Sequence, residues 1–148
     1  MSTAADPFDL ERFVKAQDPL YPAVTGELRR GRKTTHWIWF IFPQHRALGR
    51  STRALRYGIE SLTEAQAYLA HPLLGPRLRE CARLLLHCGE PDVTRIMPSP
   101  DDVKLQSSMT LFARAASAAS EDKVLFGAVL ERFFAGEPDH NTLALLAG

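Results

Sequence analysis

The side chains with the most chemical reach lie close together in the chain. From Leu28 to Ile59 there are eight basic residues, Arg29, Arg30, Arg32, Lys33, Arg46, Arg50, Arg53 and Arg56, and no Asp or Glu. Within this stretch Gly31–Gln44 reads GRKTTHWIWFIFPQ, which sets two tryptophans, two phenylalanines and a histidine among cations. Aromatic faces can stack a planar group while guanidinium and ammonium groups hold its negative charge. A nucleotide or an ADP-ribose-like compound meets that description. On this reading Arg32, Lys33, Arg50 and Arg53 hold phosphate, and His36, Trp37 and Trp39 shape a base pocket. Gln44 and Tyr57 complete the candidate set with Ser51, which caps a helix start where free backbone N–H groups favour an anion. The competing reading is equally physical. Aromatic side chains carry large burial areas, so Ile38, Phe40 and Phe42 are expected in the core, with one tryptophan left to line a pocket.

A second cluster is DDVKLQSSMTLF, Asp101–Phe112. Ser107, Ser108 and Thr110 are unusual inside a helix because short hydroxyl side chains compete with the backbone for hydrogen bonds. They should therefore bond a neighbouring helix or a ligand. Asp102 and Lys104 are the nearest acid and base. No histidine falls in register with the serines, so a Ser–His nucleophile has no support. Asp102 as general base on water is the more economical catalytic role.

Other signatures are missing from the sequence. It contains no GxxxxGK[ST], GxGxxG, HExxH, CxxC or GxSxG string. Its five histidines, His36, His45, His71, His87 and His140, have no metal-ligand spacing. Neither a metal nor a cofactor is expected.

Elements of helical type must position these residues. Asp6-Pro7 gives a cap and a first-turn proline ahead of the stripe Leu10, Phe13, Val14, and Asp18-Pro19 ends that helix. Pro22 opens a second helix that stops at Gly31. Trp37–Phe42 fits neither the helical nor the strand period; helix is preferred, because no second strand-like run exists to pair with it. Ser51 should cap a helix through Ile59, and Thr63-Glu64-Ala65-Gln66 matches a capping box. A further helix starts at Leu73 or Leu74 and runs to Gly89. Ser99-Pro100-Asp101-Asp102 starts the helix carrying Leu105, Met109, Phe112 and Ala116. Another runs from about Asp122 to Gly136, and Asp139 caps a last short one. The expectation is an all-α, multihelical single domain over residues 1–148, with seven or eight short helices.

Composition agrees with that reading. The chain has 148 residues, 45% hydrophobic and 24% charged, which suits one globular domain. Its longest apolar run, Trp37–Phe42, is far short of the ~20 residues that cross a bilayer. The amino-terminal residues lack a basic-then-apolar leader, and Cys81 and Cys88 read as core thiols, so a cytoplasmic protein is expected. A net charge of +1 conceals +8 in the Leu28–Ile59 stretch against −7 elsewhere. Such asymmetry points to an anionic partner. The modest net charge disfavours nucleic acid.

Several strings carry a family resemblance: FVKAQ at Phe13–Gln17, HWIWFIFPQ at His36–Gln44, LGRS at Leu48–Ser51 and YGI at Tyr57–Ile59. EAQAYLAHPLLGPRL at Glu64–Leu78, DDVKLQSSMTLF, and FFAGEPDHNTLALL at Phe133–Leu146 continue it. Over nearly its whole length the chain resembles the bacterial family catalogued as domain of unknown function 1810, which implies a mainly helical fold and no established activity. Thr35 stands where serine is usual, Ile38 where methionine is usual and Ala47 where glycine is common, so Thr35 and Ile38 are not expected to hold specific roles. A fainter likeness, to helical N-glycosidases acting on ADP-ribose conjugates, rests on a methionine-bearing helix followed by a phenylalanine-rich one. It implies hydrolysis of an N-glycosidic bond. The leading expectation is thus a small anionic, ring-bearing ligand. The alternatives are a nucleic-acid or protein interaction module, or a structural role for the same residues.

Overall fold

Proline, glycine and short polar caps set the helix boundaries of this chain, whose computed structural model describes residues 5–147. The first helix, α1 (Glu11–Gln17), starts later than Asp6-Pro7 suggests, yet Asp6 still serves it: its carboxylate accepts the N–H groups of Leu10 and Glu11 at 2.8 and 3.0 Å. Next, α2 (Tyr21–Arg30) has Pro22 in its first turn and ends at Gly31, whose φ of 70° is the left-handed conformation that glycine adopts without strain. The aromatic run forms one helical turn, α3 (Ile38–Ile41), as the lack of a pairing strand predicts.

After a 3-10 turn at Arg46–Leu48 comes α4 (Thr52–Arg56). Ser51 caps it, accepting the N–H of Ala54 at 3.1 Å, but the helix stops well short of Ile59. Ile59 is drawn instead into a parallel bridge: Arg46 N–H donates to its carbonyl at 2.8 Å, and its own N–H donates to the Gln44 carbonyl at 2.9 Å. Only glycine fits beside that bridge, since a Cβ on Gly58 would lie 2.5 Å from the Arg46 Cα.

The cap of α5 (Leu62–Ala70) is Ser61 rather than Thr63. Its hydroxyl accepts the Glu64 N–H at 3.1 Å, and the Glu64 carboxylate accepts the N–H of Glu60, the residue before the cap, at 3.0 Å, so the helix is capped two residues earlier than the sequence suggests. α6 (Leu74–His87) follows, then α7 (Val93–Ile96), a turn capped by Asp92 that the sequence reading did not include. α8 (Asp101–Ala115) starts where expected, although Ser99 provides no cap. α9 (Glu121–Phe134) is capped by Ser120 and leaves through left-handed Ala135 and Gly136. Asp139 accepts the Thr142 N–H to start α10 (His140–Ala147). The described residues therefore form ten α-helices and no strand, more turns than the seven or eight expected.

α8 runs through the middle, packed against α9, α5, α3 and α10. Leu105, Met109 and Phe112 on its inner face are fully buried. A chain of ring contacts crosses the core from Phe40 through Tyr57, Phe13, Tyr68 and Phe112 to Phe126, with centroids 5.1–6.2 Å apart. Arg12, largely covered, locks α4 to this core. It donates to the carbonyls of Arg56 and Gly58 at 2.8 and 2.9 Å and pairs with Glu64 at 2.9 Å. Both cysteines are free: Cys81 is buried, its thiol pushed up to about 12 chiefly by that burial, and Cys88 is half-buried.

Candidate functional site

One acid organises the basic segment. Glu27, only 3% exposed, lies at the end of α2 immediately before the acid-free stretch. Its carboxylate accepts the N–H groups of Thr34 and Thr35 at 2.8 and 3.0 Å, the Thr35 hydroxyl at 2.7 Å and the Trp37 indole N–H at 2.9 Å. Burial opposes its ionisation, but these four donors prevail and hold its pKa at about 2. Trp37 is consequently a core residue with no exposed surface. It does not line a base pocket, as the sequence reading expected. Thr35 likewise has a specific role, one that serine could fill equally.

Lys33 is also consumed by the fold. Its ammonium pairs with Asp101 at 2.8 Å and lies 5.0 Å from the Trp37 ring, with 7% of the side chain exposed. It ties the loop to the start of α8 and is not available to phosphate. Ser107 and Thr110 are similarly occupied. Each hydroxyl donates to the carbonyl one turn back; Ser107 also donates to the Asp139 carboxylate at 3.0 Å, and Thr110 accepts the Asp139 N–H at 2.8 Å. The partner of these hydroxyls is thus the cap of α10, a neighbouring element. Ser108 is fully buried, and its hydroxyl has no partner.

The remaining aromatic, Trp39, behaves differently. It is half-buried, and its indole N–H has no acceptor. Arg53 from α4 and Lys104 from α8 lie over its ring, 5.0 and 5.5 Å from the centroid. Arg53 also lines a cleft of about 410 Å³ with His36, Thr52, Arg56 and Tyr57, above an apolar wall of Ala16, Leu20 and Phe40. The cleft is built by α3 and α4, which are held in turn: Gln17 donates to the Phe40 carbonyl at 2.6 Å, and Tyr57 packs its ring on Phe40 at 5.3 Å. His36 reaches it because both of its neighbours are fixed by Glu27.

The cleft contains three of the residues singled out by sequence, His36, Arg53 and Tyr57, with Trp39 and Lys104 beside Arg53. Arg32 and Arg50 are exposed and line none of it. Gln44 serves through its backbone, and Ser51 serves as a cap. Asp102 also lies outside the cleft lining; it is half-buried, with one carboxylate oxygen unpartnered. Arg56, one of the eight basic residues, and Thr52 lie outside the candidate set drawn from the sequence, although the i, i+3 spacing of Arg53 and Arg56 is there to be read. Of the eight cations between Leu28 and Ile59, Lys33 pairs with Asp101 and Arg46 with Glu60, while the other six have no carboxylate partner among the described residues. The described residues hold no group of three His, Cys, Asp or Glu side chains that could take a metal ion. No helix among them is long and apolar enough to cross a membrane.

Residues 7–146 match the family described as "Protein of unknown function (DUF1810)". The chain belongs to this family. This DUF1810 protein is also similar to a solved structure, that of the conserved hypothetical protein Rv1873 from Mycobacterium tuberculosis. The two share 55% identity with a TM-score of 0.91, over 97% of this chain and 99% of that one. None of the curated proteins compared matches it.

Proposed function

We propose that this DUF1810 protein binds a small anionic, ring-bearing ligand of the nucleotide or ADP-ribose class in the cleft between α3 and α4. The observation that carries the reading is the state of Arg53: its guanidinium lies over Trp39 at the edge of a concave site and has no carboxylate partner. A basic face that merely answered acidic helices would have its cations paired, and six of eight are not. The cleft lies at the small end of the ~300–1,000 Å³ typical of ligand sites, and it combines an apolar wall with a few convergent polar groups. The reading is one of binding, since no carboxylate that could serve as a general base lines the cleft.

The test is thermal shift against nucleotides, ADP-ribose, NAD and sugar phosphates, with wild type and Arg53→Ala. A ligand at ~100 times its Kd adds about 2.7 kcal/mol of stability. Such a shift, lost in Arg53→Ala, supports the site. No shift with any compound, or an equal shift in the variant, refutes it.

A further inference from the structure

We infer that the group held in this cleft is a terminal phosphomonoester in its doubly charged form, with the ring of the same ligand lying on the Leu20–Phe40–Tyr57 wall. The inference rests on the binding reading above and narrows it to one ligand class.

Arg53 and Arg56 stand three residues apart on α4, so their side chains project to the same side of the helix. Each guanidinium lies over an aromatic ring, Arg53 at 5.0 Å from Trp39 and Arg56 at 5.7 Å from Tyr57. Attraction to a ring face fixes a guanidinium without giving its N–H groups an oxygen acceptor. Neither side chain donates a hydrogen bond or forms an ion pair among the described residues, although the Arg56 carbonyl accepts from Arg12. Two oriented forks of donors therefore meet one cleft with nothing to receive them.

Charge then selects the ligand. Adjacent like charges on a helix repel, and no Asp or Glu lines the cleft to relieve them. A phosphodiester or a single carboxylate offsets only one of the two. A phosphomonoester carries nearly two negative charges above its second pKa of about 6 and presents three oxygens to the forks. The Thr52 hydroxyl and the His36 imidazole, both without a hydrogen-bond partner among the described residues and lining the same cleft, are further donors to those oxygens. Size points the same way: about 410 Å³ favours one phosphate and one ring over a dinucleotide.

The experiment is calorimetric titration of the full chain at pH 7.5. The probes are the four common nucleoside 5′-monophosphates, the matching nucleosides and 3′,5′-cyclic monophosphates, and ADP-ribose. The expected result is that at least one monophosphate binds about tenfold or more tightly than its nucleoside, its cyclic form and ADP-ribose, as charge-assisted bidentate contacts provide. Arg56→Gln, an exposed change on α4, should erase that preference by weakening the monophosphate far more than its nucleoside. The preference should also decline as pH falls below about 6, where the phosphate gains a proton. If a nucleoside, a cyclic form or ADP-ribose binds as well as every monophosphate, the phosphomonoester inference is overturned and the binding reading stands. If nothing binds, both fall. If Arg56→Gln weakens all ligands equally, the cleft does not distinguish the dianion.

Discussion

Replacing Glu27 tests the device on which the whole site depends. Its pKa is held at about 2 against an ordinary 4.5. Each unit corresponds to roughly 1.4 kcal/mol, so the ionised carboxylate contributes on the order of 3 kcal/mol. The sign follows from the direction of the shift. A carboxylate whose folded pKa lies below its unfolded value stabilises fully above the unfolded value, and that contribution is lost as pH falls towards the folded one. Glu27→Gln keeps the shape but turns an NH2 group towards donors. At pH 7 it should cost about 3 kcal/mol, and Glu27→Ala, which leaves all four donors without their acceptor, should cost no less.

Urea denaturation at pH 7 and about pH 3 measures this directly. Between the two, the difference between wild type and Glu27→Gln should shrink by more than half, with m unchanged. A cost below ~1 kcal/mol at pH 7 would refute the carboxylate as the organiser of the Thr34–Trp37 loop. So would a difference that does not depend on pH. Glu27→Gln should also weaken any ligand whose binding requires His36, since both neighbours of His36 are released.

Other perturbations separate structural cations and hydroxyls from available ones. Lys33→Ala breaks the largely buried pair with Asp101 and should destabilise by roughly 1–3 kcal/mol, with less than additive loss in the Lys33→Ala, Asp101→Asn double variant; a thermodynamic cycle in urea checks this. Arg50→Ala removes an exposed, unpaired cation and should change stability by less than ~0.5 kcal/mol in the same assay. Thr110→Val removes the acceptor of the Asp139 N–H; a loss of about 1 kcal/mol is expected, read as faster amide hydrogen exchange confined to α10. Burial lowers the pKa of His45 despite the opposing fields of Glu60 and Glu64, while its Nδ1 accepts the Ala47 N–H at 3.0 Å. Its contribution is therefore present above its ordinary 6.5 and lost as pH falls below it. The Tm of wild type should drop from pH 7.5 to 5.5 by more than that of His45→Asn.

Much of the fold was legible because it follows from local chemistry. Pro22 and Gly31 bound α2, Gly136 follows the end of α9 and Asp139 starts α10 by acting on the adjacent backbone, whereas α6 and α8 begin without a side-chain cap. Long-range pairing is what the one-dimensional pattern could not supply. The bridge between His45 and Ile59 draws the chain out of α4 early, and no periodicity in Ser51–Ile59 announces it. In the site, counting acids singled out the Leu28–Ile59 stretch. It could not say which cations would be consumed, because Asp101 lies far along the chain from Lys33. Trp37 and Trp39, two residues apart, take opposite fates. Trp37 finds an acceptor in Glu27, and Trp39 finds none. The usable signal was Glu27 itself, the last acid before the basic stretch, spaced to reach a loop that begins only a few residues later.

The division among the cations also bears on how the site is kept in shape. A ligand-binding loop on the surface is ordinarily among the least stable parts of a domain, and ordering it on binding costs affinity. Here four of its donors and one of its cations are satisfied before any ligand arrives. Glu27 takes the donors of Thr34, Thr35 and Trp37, Asp101 takes Lys33, and Arg12 holds the end of α4. Arg53, Arg56, His36 and Thr52, which all line the one cleft, keep side chains without partners among the described residues. Preorganisation of this kind makes a specific demand. Loosening the frame through Glu27→Gln should lower affinity without changing the order of preference among ligands, whereas Arg56→Gln should change the order. Titrating both variants with a monophosphate and its nucleoside separates the two effects. If Glu27→Gln also reverses the preference, the frame and the recognition surface are not distinct, and the assignment of Glu27 to positioning alone fails.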